Sequence, residues 1–242
     1  AYHPTIDGFK VGQHPLVRDL LRGAFNSRPP KPKYSETWEV DRVLREISNW
    51  EINESLSYTD LTHKLTMLMA LVSASRCHEL ASLEIPHMQD FGDKVSFGIK
   101  ELTKSRSQSR PNQTVSFVEY TGNSKLDVVS CLRTYLEKSA EFRKSELQKR
   151  KLLIACVKPH KPVKPCTIAR WLKVVMARAG IDVDQFKAHS VRGASTSKVN
   201  KLGLSTQQII ERANWAKART FFKFYNREVQ TDKFQDKVLQ LD

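Results

Sequence analysis

Apolar residues recur at helical spacing along most of this chain. The clearest run extends from Ser57, which opens a capping sequence, to Ser73, with apolar positions at Leu61, Leu65, Leu68, Met69 and Val72. Residues three and four apart share one face of an α-helix, so this run predicts a helix. A second helix is expected from about Arg76. Similar spacing predicts helices over residues 15–22, 126–136, 165–180, 188–201, 205–213 and 217–227.

Two short segments have the composition of strands instead. Val95–Ile99 and Thr114–Val118 contain β-branched and aromatic residues, and the polar stretch 103–112 lies between them. Residues 152–157 are apolar and are interpreted as a buried strand or a short connector. Many helices with few strands predict a mainly α domain with a small antiparallel β-sheet, an α+β fold.

A basic, proline-rich stretch divides the chain. Residues 28–33 read Arg-Pro-Pro-Lys-Pro-Lys, a composition that opposes a helix and favours an extended linker. We therefore predict a small N-terminal part over residues 1–33 and a main domain over residues 34–242. Residues 231–242 form a weakly amphipathic helix in this prediction. Because the chain begins with Ala, we expect it to be part of a longer protein.

Basic residues outnumber acidic ones throughout the sequence. There are 40 Lys and Arg against 26 Asp and Glu, which gives a formal net charge of +14. This excess favours a polyanionic partner. Because the basic residues are not gathered on one amphipathic helix, nucleic acid is favoured over a membrane surface. We expect no signal peptide, and no run of ~20 apolar residues predicts a membrane span.

The four cysteines indicate neither a disulfide framework nor a zinc site. They show no CxxC pair and no metal-ligand spacing, and they lie at Cys77, Cys131, Cys156 and Cys166. In a chain of this size they are interpreted as reduced and mostly packed thiols. This interpretation favours an intracellular protein.

Four residues from separate parts of the sequence, two of them close neighbours, have the chemistry needed to break a phosphodiester without a metal. Arg76 and Arg192 carry planar, permanently charged guanidiniums, which bind pairs of oxygens and stabilise the charge that develops there. His189 precedes Arg192 by three positions, so on a helix the two would share a face. Tyr225 would be the nucleophile, once a base or a cationic neighbourhood promotes ionisation of its phenol.

Each of these residues also has an ordinary structural interpretation. His189 alone is more often a hydrogen-bonded structural histidine, and Arg76 could simply form a salt bridge with Glu79. Tyr225 and Trp215 could pack in a core. Their order and joint spacing favour the catalytic interpretation over these separate ones.

Taken together, the motifs resemble those of tyrosine recombinases, the phage-integrase family, over about residues 34–242. Residues 74–83, Ala-Ser-Arg-Cys-His-Glu-Leu-Ala-Ser-Leu, resemble the first motif of that family, and His189-x-x-Arg192 resembles the second. Trp215 matches the later His/Trp position. It lies ten residues before Tyr225, where many members have nine.

The resemblance implies a role for each residue of the site. Arg76 and Arg192 would bind the scissile phosphate while Tyr225 attacks it and forms a 3′-phosphotyrosine. Metal ions, ATP and cofactors would take no part. The supporting roles would be proton transfer by His189, protonation of the leaving 5′ oxygen by Lys104, contact with the phosphate by Trp215 and orientation of the site by Glu79. For the lysine role, Lys100 and Arg106 remain alternatives.

The same resemblance implies a partner and an assembly. The partner would be double-stranded DNA, bound by a homotetramer on paired sites that exchanges a C-terminal helix, here residues 231–242. As an isolated chain the protein could instead be a monomer. The sequences Ala-His-Ser-x-Arg-Gly-Ala-Ser and Phe-Tyr are most similar to recombinases of eukaryotic mobile elements of the DIRS, Ngaro and Crypton kind. Residues 1–33 would then be the end of a core-binding domain, and the protein would be nuclear.

Three other functions are compatible with parts of the pattern. A type IB topoisomerase has a similar residue set, but the short spacing from Trp215 to Tyr225 leaves no room for its long coiled-coil linker. A catalytically silent, domesticated DNA-binding module would keep only the basic charge and its steep salt dependence. A metal-dependent nuclease or transposase would need clustered carboxylates, and Asp90 and Asp93 are better explained by a turn.

Overall fold

The structure, a computed structural model, describes residues 4–29, 36–99, 113–213, 221–222, 226 and 228–229. It divides into two compact units, Ala1–Lys33 and Tyr34–Asp242. In the first unit, strands β1 (Thr5–Ile6) and β2 (Phe9–Lys10) form an antiparallel pair, followed by helix α1 (Pro15–Ser27). Proline suits the first position of a helix, where its missing N–H has no intrahelical partner.

The second unit is mainly helical with a small antiparallel sheet, which confirms the predicted fold class. Its helices are α2 (Val40–Ser48), α3 (Tyr58–Ser73), α4 (Cys77–Ala81), α5 (Val128–Ser139), α6 (Glu146–Arg150), α7 (Pro165–Arg178), α8 (Ser190–Lys201) and α9 (Thr206–Arg212). Its strands are β3 (Glu36–Thr37), β4 (Met88–Asp90), β5 (Lys94–Ile99), β6 (Gln113–Val118) and β7 (Glu228–Val229).

Helix α3 lies at the centre of this unit and packs against α5, α7 and α8. It begins where the sequence predicts, because the Ser57 hydroxyl accepts a hydrogen bond of 3.0 Å from the Asp60 backbone N–H. Its polar residues are buried as well as its apolar ones; the hydroxyls of Thr62 and Thr66 donate to backbone carbonyls one turn earlier. Val72 was expected on the buried face but is 40% exposed.

Strands β4, β5 and β6 form an antiparallel sheet whose inner face contributes to the main core. The pairing of β5 with β6 aligns Phe97 with Val115, and the neighbouring Phe117 is also fully buried. Residues 152–157 are a connector rather than a strand, held by the isolated bridges Glu84↔Lys151 and Ile154↔Pro162. The apolar composition of this connector is explained by the burial of its first three residues.

Several features had no counterpart in the sequence prediction. Strands β1, β2 and β4 and helices α2 and α6 were not predicted, although α2 buries residues at helical spacing. Another is a parallel pairing of β3 with β7, which joins Glu36 to Glu228 and Thr37 to Val229. Strands of two residues have too little pattern to be recognised, and their partners are far apart in the chain. The predicted polar stretch 103–112 and the helix 231–242 lie outside the described residues.

Candidate active site

Arg76 is placed by the turn that connects α3 to α4. Ala74 ends α3 in the left-handed conformation, with φ of 48°, and Arg76 follows as the N-cap of α4. The Arg76 backbone N–H donates to Glu79 Oε2 over 2.7 Å, and Nη1 of the same residue donates to Glu79 Oε1 over 2.7 Å. The ordinary interpretation of Arg76 as a partner of Glu79 is therefore correct in part.

The same carboxylate also contacts Arg192 from helix α8. Nη1 of Arg192 lies 3.6 Å from Glu79 Oε2, and its Nη2 donates to the carbonyl oxygen of Ala213, which directly follows α9. The two arginines identified in the sequence thus converge on one buried carboxylate. Three separate helical segments, α4, α8 and the end of α9, meet at this point.

The charges at this point favour binding of an anion. Two guanidiniums contact the carboxylate of Glu79 at a place largely removed from water. Electrostatic interactions are stronger there than in bulk solvent. The Arg76 side chain is 28% exposed, whereas that of Arg192 is 2% exposed. An oxyanion can therefore reach Arg76 directly from solvent.

His189 lies in a different environment from Arg192. It occupies the position immediately before α8 and is exposed, while Arg192 is buried. His189 is thus open to solvent at the N-terminal end of the helix that carries Arg192. The next residue, Ser190, is buried, and its hydroxyl oxygen accepts a hydrogen bond of 2.8 Å from Trp38 Nε1.

A small apolar cluster places Phe221 beside the segments that carry the two arginines. Phe221, four residues before Tyr225, is fully buried with Ala74 and Ala213, two residues that adjoin the arginine contacts, and with Ile209 and Ile210. Ala74 lies two residues before Arg76, and the Ala213 carbonyl binds Arg192. The cluster therefore lies beside both arginine-bearing segments.

Beyond Tyr225 the chain is held again. The backbone N–H of Asn226 donates to the Phe221 carbonyl over 2.8 Å, and Asn200 Nδ2 donates to Asn226 Oδ1 over 3.2 Å. Asn200 belongs to α8, the helix that carries Arg192. Tyr225 itself lies outside the described residues, as do Trp215 and Lys104, but the chain before and after Tyr225 is attached to the elements of the site.

Sequence reasoning did not identify several residues that support this arrangement. Arg212 Nε donates to the Val72 carbonyl over 3.0 Å, at the end of α3 that leads to Arg76. Burial lowers the pKa of this guanidinium. A cation at a helix C-terminus also interacts favourably with the helix dipole. Trp38, Asn200 and Asn226 were missed as well, because their partners are remote in sequence and leave no local pattern.

Asp90 and the four cysteines, which were considered for metal binding or redox chemistry, have contacts that are explained by the fold. Asp90 accepts hydrogen bonds from the Gly92 backbone, over 2.9 Å, and from Arg133, so a turn explains it. Burial raises the pKa of the Cys77 thiol to about 11, and all four cysteines are free, although Cys166 is exposed rather than packed.

Neither a metal site nor a membrane span is found within the part of the chain that the structure describes. No three His, Cys, Asp or Glu side chains are grouped there in a way that could bind a metal ion. Among the same residues, no helix has the length and apolar character needed to cross a membrane.

Comparison with known proteins gives one family and a set of similar structures. The model of the phage integrase family matches residues 39–231, which include Arg76, Glu79, His189 and Arg192. A search of curated proteins gave no match.

Several solved structures share this fold at low sequence identity. The XerH site-specific recombinase bound to its difH substrate in a pre-cleavage complex has a TM-score of 0.60 and 12% identity, over 96% of this chain and 65% of that one. The XerA recombinase has a TM-score of 0.57 and 16% identity, over 92% of this chain and 71% of that one. A lambda integrase dimer bound to a COC′ core site has a TM-score of 0.51 and 16% identity, over 94% of this chain and 60% of that one. The chain thus spans less than two thirds of the XerH and lambda integrase chains.

Proposed function

The chain belongs to the phage integrase family, and on this basis we propose that it is the catalytic domain of a site-specific tyrosine recombinase. It would cleave and rejoin DNA strands through a 3′-phosphotyrosine intermediate. The observation that carries the proposal is the contact of Arg76 and Arg192 with the single carboxylate of Glu79. Two arginines from distant parts of the chain are thereby available to one phosphate group.

In the proposed reaction, the arginines bind the non-bridging oxygens of the scissile phosphate. Arg76 makes the first contact, because it is the more exposed of the two. On Arg192, Nη2 donates one of its two N–H groups to the Ala213 carbonyl. Glu79 keeps both guanidiniums in place before the DNA arrives, so little reorganisation is needed during the reaction.

Strand cleavage then transfers the phosphate to the protein. The phenolic oxygen of Tyr225 gives up its proton with the assistance of His189 and forms a bond to phosphorus. The bond from phosphorus to the 5′ oxygen breaks, and Lys104 gives that oxygen a proton, while Trp215 contacts the phosphate. Because one phosphoester replaces another, the reverse attack by a 5′ hydroxyl rejoins DNA without ATP. The two guanidiniums supply the charge stabilisation.

The finer features of the proposal concern the biological setting. A recombinase of a eukaryotic mobile element acts in the nucleus, and the motif around His189 and Arg192 supports this origin. The proposed assembly is a homotetramer on paired DNA sites, with exchange of residues 231–242 between neighbours. Residues 1–33, a separate compact unit, would be the end of a core-binding domain.

A covalent-adduct assay tests the chemistry directly. The protein is incubated with nicked suicide duplexes that carry a randomised core, and protein–DNA adducts are separated under denaturing conditions. We expect an adduct with the unaltered chain and none with Tyr225→Phe, because the phenyl ring has no nucleophilic oxygen. Tyr120→Phe is the matched control, since Tyr120 is a half-exposed tyrosine in another part of the unit. An adduct formed by Tyr225→Phe would refute the role of Tyr225.

The catalytically silent DNA-binding module remains the second candidate, supported by the net charge of +14. It predicts salt-dependent DNA binding by the unaltered chain without any adduct. An affinity loss of about 10³ or more between low and moderate salt would indicate several phosphate contacts.

A further inference from the structure

Helix α8 carries Arg192 and follows His189, yet it buries few apolar side chains. Most of its buried residues are small and polar, and the apolar ones are Val191 and Ala194. The hydroxyls of Ser195 and Thr196 donate back to the Arg192 carbonyl, over 3.3 and 2.8 Å, so these bonds stay within the helix. Burial of one valine and one alanine contributes little to fixing a helix laterally. The place of α8 therefore depends on a few specific polar contacts.

Two of these contacts lie at opposite ends of the helix. At its first residue, Ser190 Oγ accepts the hydrogen bond of 2.8 Å from Trp38 Nε1, and the two residues are 4% and 2% exposed. Near its end, Lys198 forms an ion pair with Asp41 of α2, and both of these side chains are partly exposed. The bond from Trp38 is the more directional of the two, because an indole has one N–H, fixed in the ring plane.

Trp38 also adjoins the segment that follows the proposed nucleophile. It comes directly after β3, whose residue Thr37 pairs with Val229 in β7, four residues beyond Tyr225. One short stretch of chain thus contacts both the start of α8 and the strand after Tyr225. Trp38 stands one residue before the region matched by the family model.

We propose that Trp38 is a positioning residue for the strand-cleavage reaction. Its indole N–H holds Ser190, and through the first turn of α8 it holds His189 and Arg192 where they act on the phosphodiester. The inference rests on the proposed function of the site. Loss of the acceptor costs more free energy for a buried indole N–H than for an exposed one, because water cannot replace the acceptor. The hydrogen bond therefore tends strongly to stay formed.

The test removes this hydrogen bond from either side and compares it with the contact at the other end of α8. Trp38→Phe keeps an aromatic ring but has no N–H, and Ser190→Ala removes the acceptor. Asp41→Asn is the matched control, because it weakens the ion pair with Lys198. Three quantities are measured: the single-turnover cleavage rate, the dissociation constant for DNA, and hydrogen exchange of the α8 amides without DNA.

We expect Trp38→Phe to slow cleavage about tenfold, the effect of one buried hydrogen bond, and to change the DNA dissociation constant less than about twofold. Ser190→Ala should give the same result, and the double variant should be no slower than either single one. Exchange should accelerate at the amides of residues 190–194 and stay unchanged at residues 198–202. Asp41→Asn should show the reverse exchange pattern with cleavage nearly unaltered.

Several outcomes would overturn the inference. Cleavage at the normal rate by Trp38→Phe would do so, as would additive losses in the double variant, or an equal loss of cleavage in Asp41→Asn. The exchange measurement separates this inference from the proposed function. If the unaltered protein forms no adduct, the recombinase proposal fails, while unchanged exchange at residues 190–194 in Trp38→Phe would still refute the role of Trp38.

Discussion

Glu79 and Glu84 lie five residues apart, and each is a buried carboxylate that contacts two strongly basic side chains. Glu79 binds Arg76 and Arg192. Glu84 accepts a hydrogen bond of 2.9 Å from Arg150 Nε and lies 3.0 Å from the Lys151 ammonium. By charge alone the two clusters are nearly equivalent.

The two clusters differ in where their basic residues come from. Arg150 and Lys151 are neighbours in sequence, and Arg150 is 58% exposed on its side chain. The contacts of Arg150 and Lys151 with Glu84, together with the β-bridge between Glu84 and Lys151, attach the connector of residues 152–157 to the domain. The two arginines at Glu79 come instead from different helices, and one of them is almost completely buried. Convergence of separate elements away from water therefore distinguishes a candidate active site from a structural salt bridge.

The largest expected effect comes from removing the carboxylate charge at Glu79. Glu79→Gln removes from a buried cluster the carboxylate that contacts both Arg76 and Arg192, so we expect the free energy of unfolding to fall by about 3–5 kcal/mol. Urea denaturation followed by circular dichroism measures this loss. Glu84→Gln is the control, and its loss should be smaller because Arg150 can regain water. Equal losses would show that the two clusters are energetically alike.

The planar geometry of arginine should matter for cleavage in the cluster around Glu79 and not in the cluster around Glu84. Arg76→Lys keeps the charge but loses the planar fork, so we expect single-turnover cleavage to slow about 100-fold or more. Arg150→Lys should cleave within about twofold of the unaltered rate, because the residue would contact no phosphate. Cleavage by Arg76→Lys at the normal rate would contradict the proposed phosphate contact.

The cluster around Glu84 should affect mainly how the stability of the protein depends on pH. Burial alone would raise the pKa of the Glu84 carboxyl, but the hydrogen bonds from Arg150 and Lys151 outweigh it and hold that pKa below its usual range. A depressed folded-state pKa stabilises the protein above the unfolded value of about 4.3, and this stabilisation is lost as pH falls through the folded value.

Glu84→Gln should therefore lower the free energy of unfolding by on the order of 1 kcal/mol at pH 7. The difference from the unaltered protein should shrink as the pH falls below about 4. Denaturant titrations at a series of pH values measure the trend. A difference that grows on acidification would have the wrong sign for this mechanism.

The smallest effect is expected at a third pair, Asp90 with Arg133. Here a hydrogen bond from Arg133, helped by the Gly92 backbone, lowers the pKa of the Asp90 carboxyl, but the pair is exposed. Solvent and salt screen such pairs. We expect Asp90→Asn to change Tm by about 2 °C or less at neutral pH in a thermal scan. A larger loss of Tm would mean that burial does not explain the different stability contributions of these three clusters.

The sequence predicted much of the local structure. The limits of α3, α7 and the two strands β5 and β6 follow from periodicity and capping residues that lie within each segment. Helix α2 was not predicted even though Val40, Val43 and Ile47 have helical spacing. The pairing of β3 with β7 depends on residues almost two hundred positions apart, so no local pattern can reveal it.

What the sequence determined by itself was the fold class and the order of the motifs, because side-chain periodicity and residue chemistry are properties of neighbouring positions. Only the tertiary structure decided that Arg76 and Arg192 share Glu79, that Arg192 is buried while His189 is exposed, and that Trp38 holds Ser190. These facts depend on how helices far apart in the chain pack together. Packing sets which groups lose water and which partners they find, and that is what gives identical side chains different roles.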